Sequence, residues 1–183
     1  MTDVEPRTAV ANKRDVYKVT LFVIITTIGM GLTGSVIKDL VHRHIWKGKT
    51  EEARQSLRRI GELAVRAYER DRAVCPSASA AVPADMERLF FEPRQTLDRF
   101  YQSSVREWTI DEPQHSGFAC LGFEMMAPQF YQYSYEASES GFVARARGDL
   151  DNDHVYSTFE LRGRVKDGHL EVDRSLLEKA PNE

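Results

Sequence analysis

Cysteine is scarce in this chain, and its scarcity excludes two classes of small protein. Two cysteines among 183 residues can form neither a disulfide-dense scaffold nor a four-cysteine zinc site. Glycine and proline, at 11 and 7 residues, are too few for a collagen-like or low-complexity chain. With 42% hydrophobic and 29% charged residues, the composition is typical of a folded protein of about one domain.

Basic charge is missing from the part of the chain where a nucleic-acid-binding protein would need it. Residues 1–70 carry 13 Lys and Arg against 8 Asp and Glu, whereas residues 71–183 carry 12 against 20. A nucleic-acid binder concentrates Lys and Arg on its folded part, and the C-terminal part is acidic here. We therefore expect no nucleic-acid partner.

The familiar catalytic motifs are also missing. The sequence contains no G-x-S-x-G, no H-E-x-x-H and no phosphate-cradling glycine loop. His115 lies five residues before Cys120, but its surroundings, DEPQHSG, are more typical of a turn than of a thiol–imidazole pair. We therefore expect a protein without catalytic residues that is not an enzyme.

The longest stretch without charge lies near the N-terminus. Residues 19–37 read VTLFVIITTIGMGLTGSVI, and a helix of that length is about 28 Å long, close to the hydrocarbon thickness of a membrane. The pattern predicts a single transmembrane helix over residues 19–37, preceded by an N-terminal tail over residues 1–18. Four Lys and Arg flank the run on each side, so charge does not determine its orientation.

Residues 38–70 are predicted to form an amphipathic helix after the membrane segment. Apolar side chains recur at intervals of three and four, which places them on one face, and Thr50 is in a position to cap the helix N-terminus. The apolar positions are Ala53, Leu57, Ile60, Ala64 and Ala67.

The rest of the chain predicts a sheet. Residues 71–107 form a loop-rich mixed region, residues 108–173 alternate as strands, and residues 174–183 form a C-terminal tail. The apolar run 118–123 is interpreted as a strand, Tyr131, Tyr133 and Tyr135 share one strand face over the long helix, and Asp167-Gly168 predicts a hairpin. The expected fold class is α+β: a membrane helix continues into an amphipathic helix packed on a C-terminal antiparallel sheet.

Three segments between residues 45 and 165 together resemble type IV pilins and their pseudopilin relatives. Myxobacterial pilin-like proteins carry a Cys-Leu-x-Phe strand, a Pro-Gln-Tyr-Tyr-Gln-Tyr strand and a Gly-Asp-Leu-Asp-Gly-Asp-Gly turn before Ser-Thr-Phe. The similar segments here are Cys120-Leu-Gly-Phe123, Pro128-Gln-Phe-Tyr-Gln-Tyr133, and Gly148-Asp-Leu-Asp-Asn-Asp153 before Ser157-Thr-Phe159.

This resemblance implies a pilin-like cell-envelope protein without enzymatic activity. It would be anchored in the inner membrane, with residues 1–18 as a cytoplasmic tail and the C-terminal domain in the periplasm. It would be a minor component of a type IV pilus or type II secretion-like assembly, and other pilin-like subunits would contact its N-terminal helix. Residues 18–23, KVTLFV, supply neither the cleavage-site Gly nor the following Glu of pilins. The alternative is therefore an unassembled single-pass membrane protein with a periplasmic binding module, one that could depend on calcium.

The resemblance also bears on the two cysteines. It places Cys75 and Cys120 outside the cytoplasm, where disulfides form and persist, and so favours a bridge between them. Two unpaired thiols, with Cys120 as a small apolar core residue, are the alternative.

A cluster of aspartates offers a candidate calcium loop. Asp149, Asp151, Asp153 and Glu160 match positions 1, 3, 5 and 12 of an EF-hand loop, but His154 replaces the glycine of position 6. The strand alternation of VYSTFEL also points Glu160 away from the loop. Two interpretations stay open: a solvated hairpin turn, or a calcium loop formed by the three aspartates without Glu160. We expect no cofactor other than this candidate calcium.

Overall fold

The computed structural model describes residues 48–90, 101–150 and 154–181, which all belong to one unit, Trp46–Glu183. The predicted cytoplasmic tail and the candidate transmembrane helix over residues 19–37 lie outside the described residues. Within the three described ranges, no helix combines the length and the apolar character needed to cross a membrane.

Helix α1 covers residues 48–71 and places its predicted apolar stripe in the core. The five stripe residues between Ala53 and Ala67 are each at most 3% exposed, which confirms the amphipathic prediction from residue 48 onward. Residues 38–47 of the predicted helix lie outside the described residues. The prediction that Thr50 caps the helix was wrong, because residues 48–50 are already helical. Gly61 lets α1 approach the sheet closely, since a Cβ atom there would lie 2.8 Å from Leu161 Cδ2.

Five antiparallel strands form one sheet, which confirms the α+β class. Strands β1, β2 and β3 pair in chain order, and the far edge of β3 is shared by two short strands, β4 along Gly163–Lys166 and β5 along Thr158–Glu160. The bounds are β1 Gln132–Ser138, β2 Gly141–Gly148, β3 Ser157–Lys166, β4 His169–Val172 and β5 Leu177–Lys179.

Turn chemistry and strand alternation behave as predicted. Asp167 and Gly168 join β3 to β4 with φ angles of 50° and 75°, and two positive φ values are what a type I′ hairpin turn requires. Tyr131, Tyr133 and Tyr135 are at most 1% exposed. Because they alternate along the chain, all three rings lie on one face, within the same core cluster as the α1 stripe.

Two strand predictions were wrong. The chain forms helix α2 at Val105–Trp108 and helix α3 at Gly117–Leu121, so Phe118 and Cys120 are not on a strand. An apolar run this short does not distinguish a buried strand from a buried helix, and Gly122, with φ 67°, ends α3 in the left-handed conformation that glycine favours. The predicted tail 174–183 contains β5, which pairs with the half of β3 that β4 leaves open.

The segment before the sheet closes the edge of β1. The Ala78 N–H donates to Tyr135 O at 3.0 Å, and Val82 and Tyr133 exchange two backbone hydrogen bonds of 2.9 Å. Edge strands with unpaired backbone groups invite pairing with another chain. Residues 78–82 therefore satisfy a stretch of β1 that would otherwise be open.

An aromatic cluster anchors the helical segment 105–121 to β1. The Trp108 ring meets Phe118 and Phe123 edge to face, with centroids 5.0 and 5.2 Å apart, and lies 6.2 Å from Tyr133. The buried indole N–H donates to Ser103 Oγ at 2.7 Å. Such pairs add to the hydrophobic gain of burying the rings, so α2 and α3 are held firmly against the sheet.

Candidate functional site

A disulfide ties the end of α1 to helix α3. Cys75, in the loop after α1, is bonded to Cys120 in α3, with Cα atoms 5.8 Å apart. Both residues are 4% exposed. The bridge therefore closes a loop that contains α2 together with Trp108 and Phe118 of the aromatic cluster.

Two further side chains with metal-ligating atoms lie beside this bridge. A carboxylate oxygen of Asp71, an imidazole nitrogen of His115 and the sulfur of Cys120 all lie within 4.8 Å of one another. Asp71 Oδ2 is 3.8 Å from His115 Nε2. Hydrogen bonds from the neighbouring Arg70 guanidinium, at 2.8 and 2.6 Å, lower the pKa of Asp71.

Backbone contacts explain why His115 reaches the end of α1. The Ser79 N–H donates to Asp111 Oδ2 at 2.9 Å, and the Gly117 N–H donates to Pro76 O at 2.9 Å. These bonds join the loop after Cys75 to the turn before α3. His115 itself adopts the left-handed conformation, with φ 48°, which ends the short 3-10 turn at residues 112–114.

A carboxylate is enclosed where α1 meets the start of the sheet. The Phe130 N–H donates to both oxygens of Glu52 at 3.1 Å, and the Tyr133 hydroxyl donates to Oε1 at 2.9 Å. Burial raises the pKa of Glu52 to about 7, although the hydrogen bonds from Phe130 and Tyr133 oppose this effect. The group therefore titrates near neutral pH.

The candidate calcium loop is described only in part. Asp149 is 5% exposed, and its Oδ2 accepts a hydrogen bond of 2.9 Å from the His154 N–H. His154 has φ 70°, so a left-handed residue stands where an EF-hand has its glycine. Asp151 and Asp153 lie outside the described residues.

Glu160 belongs to the outer face of the sheet. It lies on β3, where it accepts hydrogen bonds from Arg145 Nε at 2.7 Å and from Arg162 Nε at 2.6 Å. Burial alone would raise the pKa of Glu160, but these two bonds lower it. Arg145 also reaches Glu136 at 2.7 Å, so this face carries a ladder of alternating charges.

The sequence did not indicate two members of these sites. Glu52 precedes the first stripe residue and resembles a surface acid. Its contact with Phe130 is not predictable from local sequence, because the two residues lie 78 positions apart along the chain. Asp71 follows an arginine at a helix end. In retrospect, Asp71-x₃-Cys75 and His115-x₄-Cys120 are two similarly spaced pairs of metal-ligating residues.

Comparison with known proteins adds no relative. Neither a protein-family model, nor a curated protein, nor a solved structure matches this chain. The described residues thus define an α+β unit in which a long helix packs on a five-stranded antiparallel sheet, with one disulfide and one enclosed carboxylate at opposite ends of α1.

Proposed function

We propose that this chain is a membrane-anchored, pilin-like protein of the cell envelope, without enzymatic activity, whose described part is a periplasmic head. The observation that carries the proposal is the order of elements. An apolar run ends at residue 37, and α1, described from residue 48, packs its stripe on an antiparallel sheet. A helix that leaves a membrane and continues along a sheet is the architecture that the pilin resemblance implies.

One feature supports a head outside the cytoplasm, and another bears on how it would associate. The disulfide between Cys75 and Cys120 suits an oxidising compartment. The edge of β1 is covered by residues 78–82, which disfavours strand pairing at that edge. The association proposed with other pilin-like subunits is through the N-terminal helix. The role that follows is that of a minor subunit in a type IV pilus or type II secretion-like assembly.

A reporter enzyme that is active only in the periplasm, fused after Glu183, tests the topology. We expect activity in a bacterial host, and a well-expressed but inactive fusion would contradict the periplasmic head. The same fusion with residues 19–37 deleted is the control, because it should lose both membrane association and activity.

The second candidate is an unassembled membrane protein with a calcium-dependent binding module. It is favoured by residues 18–23, which lack the Gly and Glu that pilins use for processing and assembly. The mass of the protein from membranes separates the two, since pilin-type processing would remove about 18 residues. Thermal unfolding with 10 mM calcium or chelator tests the module, and Asp151→Asn should abolish any calcium-dependent shift.

A further inference from the structure

Four side chains that carry metal-ligating atoms meet at the disulfide corner: those of Asp71, Cys75, His115 and Cys120. Two thiol sulfurs, one imidazole and one carboxylate are ligands that Zn²⁺ accepts, and structural zinc sites have four of them. Here the bond between Cys75 and Cys120 occupies both sulfurs. The oxidised protein therefore offers only Asp71 and His115, which are too few for a stable site.

We propose that reduction of this disulfide converts the corner into a zinc site formed by Cys75, Cys120, His115 and Asp71. A dithiol reductant passes two electrons and two protons to the bridge and itself becomes a disulfide. A phosphine instead takes the oxygen of a water molecule and becomes a phosphine oxide, while that water supplies the two protons. In both cases the S–S bond breaks and two thiols form. Zn²⁺ then displaces both thiol protons to solvent as two Zn–S bonds form. A small-molecule disulfide reverses the sequence: it accepts two electrons from the two sulfurs and two protons from solvent and becomes two thiols, while the protein S–S bond re-forms and Zn²⁺ is released.

The spacing of the ligands suits zinc. Zn–S bonds of about 2.3 Å at a tetrahedral angle place the two sulfurs roughly 3.8 Å apart, and Cα atoms 5.8 Å apart reach that spacing by side-chain rotation. The ligand atoms of Asp71, His115 and Cys120 already lie within 4.8 Å of one another. A tetrahedral zinc needs them about 3–4 Å apart.

The side chains that must move are the exposed ones. The His115 and Asp71 side chains are 67% and 35% exposed, so they can turn toward the metal without disturbing the core. Asp71 holds Arg70 through both oxygens and must release one of them. An exposed ion pair of this kind contributes little to stability, so little is lost in this exchange.

A cleft lies against Cys75 and marks the side from which a reductant would approach the bridge. Its volume is about 530 Å³, and it is lined by Cys75 together with residues of the α1 end and of the turn between β1 and β2. Tyr68, Val74 and Pro76 supply apolar walls, and Arg72 lies among them. The metal site and the disulfide tie the same two segments together, so the corner stays closed in oxidising and reducing compartments alike.

The test uses the full-length chain in mild detergent, freed of metal and divided into an oxidised half and a phosphine-reduced half. Zn²⁺ is titrated against a chromogenic chelator under anaerobic conditions. We expect one zinc per reduced chain, bound at least about 100-fold more tightly than by the oxidised chain. Co²⁺ in place of zinc should give the intense visible bands of a tetrahedral site and the near-ultraviolet charge-transfer band of thiolate ligands.

Variants distinguish the four-ligand site from thiols acting alone. His115→Ala and Asp71→Asn should each weaken zinc binding at least about tenfold, whereas His169→Ala and Asp173→Asn, outside the cluster, should leave it unchanged. If His115→Ala binds zinc as tightly as the wild type does, the proposal is overturned. This is also the result expected if a reduced, unfolded chain binds zinc through its cysteines only. Equal binding by the oxidised and reduced chains would overturn it as well.

Discussion

Glu52 should make the stability of the head depend on pH near neutrality. Its pKa is raised from 4.5 to about 7 by burial, so the folded state favours the protonated carboxyl more than the unfolded state does. The resulting stabilisation is complete below pH 4.5 and is lost as the pH rises through 7. A pKa difference of one unit corresponds to about 1.4 kcal/mol. The free energy of unfolding should therefore fall by about 3 kcal/mol between pH 4.5 and pH 8.

Glu52→Gln isolates this effect. The glutamine carbonyl oxygen can accept from both the Phe130 N–H and the Tyr133 hydroxyl, as Glu52 Oε1 does, so both contacts are retained. We expect the variant to match the wild type within about 0.5 kcal/mol at pH 4.5 and to exceed it by about 2–3 kcal/mol at pH 8. Carboxylates that titrate in the opposite sense, such as Glu160, are common to both proteins and cancel in the difference.

Urea unfolding of the full-length chain in detergent measures the difference. Trp108, 1% exposed, reports unfolding through its fluorescence when Trp46 is replaced by Phe in every protein compared. Glu51→Gln is the matched control. It removes the same charge from the neighbouring residue, whose side chain is 45% exposed. A difference between Glu52→Gln and the wild type that stays constant from pH 4.5 to pH 8 would refute the reasoning.

Three further outcomes are expected from the same unfolding assay and from thiol labelling. Glu160→Gln should lower the free energy of unfolding by about 1–3 kcal/mol at pH 7, because two arginines lose their shared carboxylate; an undiminished loss at pH 3 would contradict this. Gly61→Val should lower the free energy of unfolding by about 1–3 kcal/mol through overpacking. Gly48→Ala, where no atom lies within 4 Å of the added Cβ, should raise it by up to about 1 kcal/mol. Equal effects of the two substitutions would disprove the close contact at Gly61. Denatured but unreduced protein from membranes should show no free thiol, and two labelled thiols would refute the bridge in the cell. Reduction should lower the free energy of unfolding by roughly 4 kcal/mol, because the closed loop spans 45 residues.

Local patterns predicted the parts of the fold that depend on local rules. The α1 stripe follows from a period of three and four residues, and the Asp167-Gly168 turn follows from the need for two positive φ angles. The short helices around Trp108 and Phe118 were not predicted, because their formation depends on packing within the aromatic cluster. The strand β5 escaped because its three residues are exposed and carry no alternation.

The candidate sites divide in the same way. The bond between the two cysteines was predicted from the oxidising compartment that the pilin resemblance implies, and the structure contains it. The contact of Glu52 with Phe130, and the approach of Asp71 to His115, arise only when α1 lies on the sheet and the 76–79 and 111–117 segments are joined. No spacing rule connects residues so far apart, since their proximity is created by packing.

The disulfide also fixes how much chain the head can release under mechanical load. The bridged residues are 45 apart in sequence, and extended chain measures about 3.4 Å per residue, so about 150 Å of contour length lies inside the closed loop. If the two ends of the protein are pulled apart, this length does not add to the extension even after every strand has separated, because the disulfide keeps the loop closed. A subunit held at one end and loaded at the other would thus have a built-in limit to its extension, one that a reductant removes.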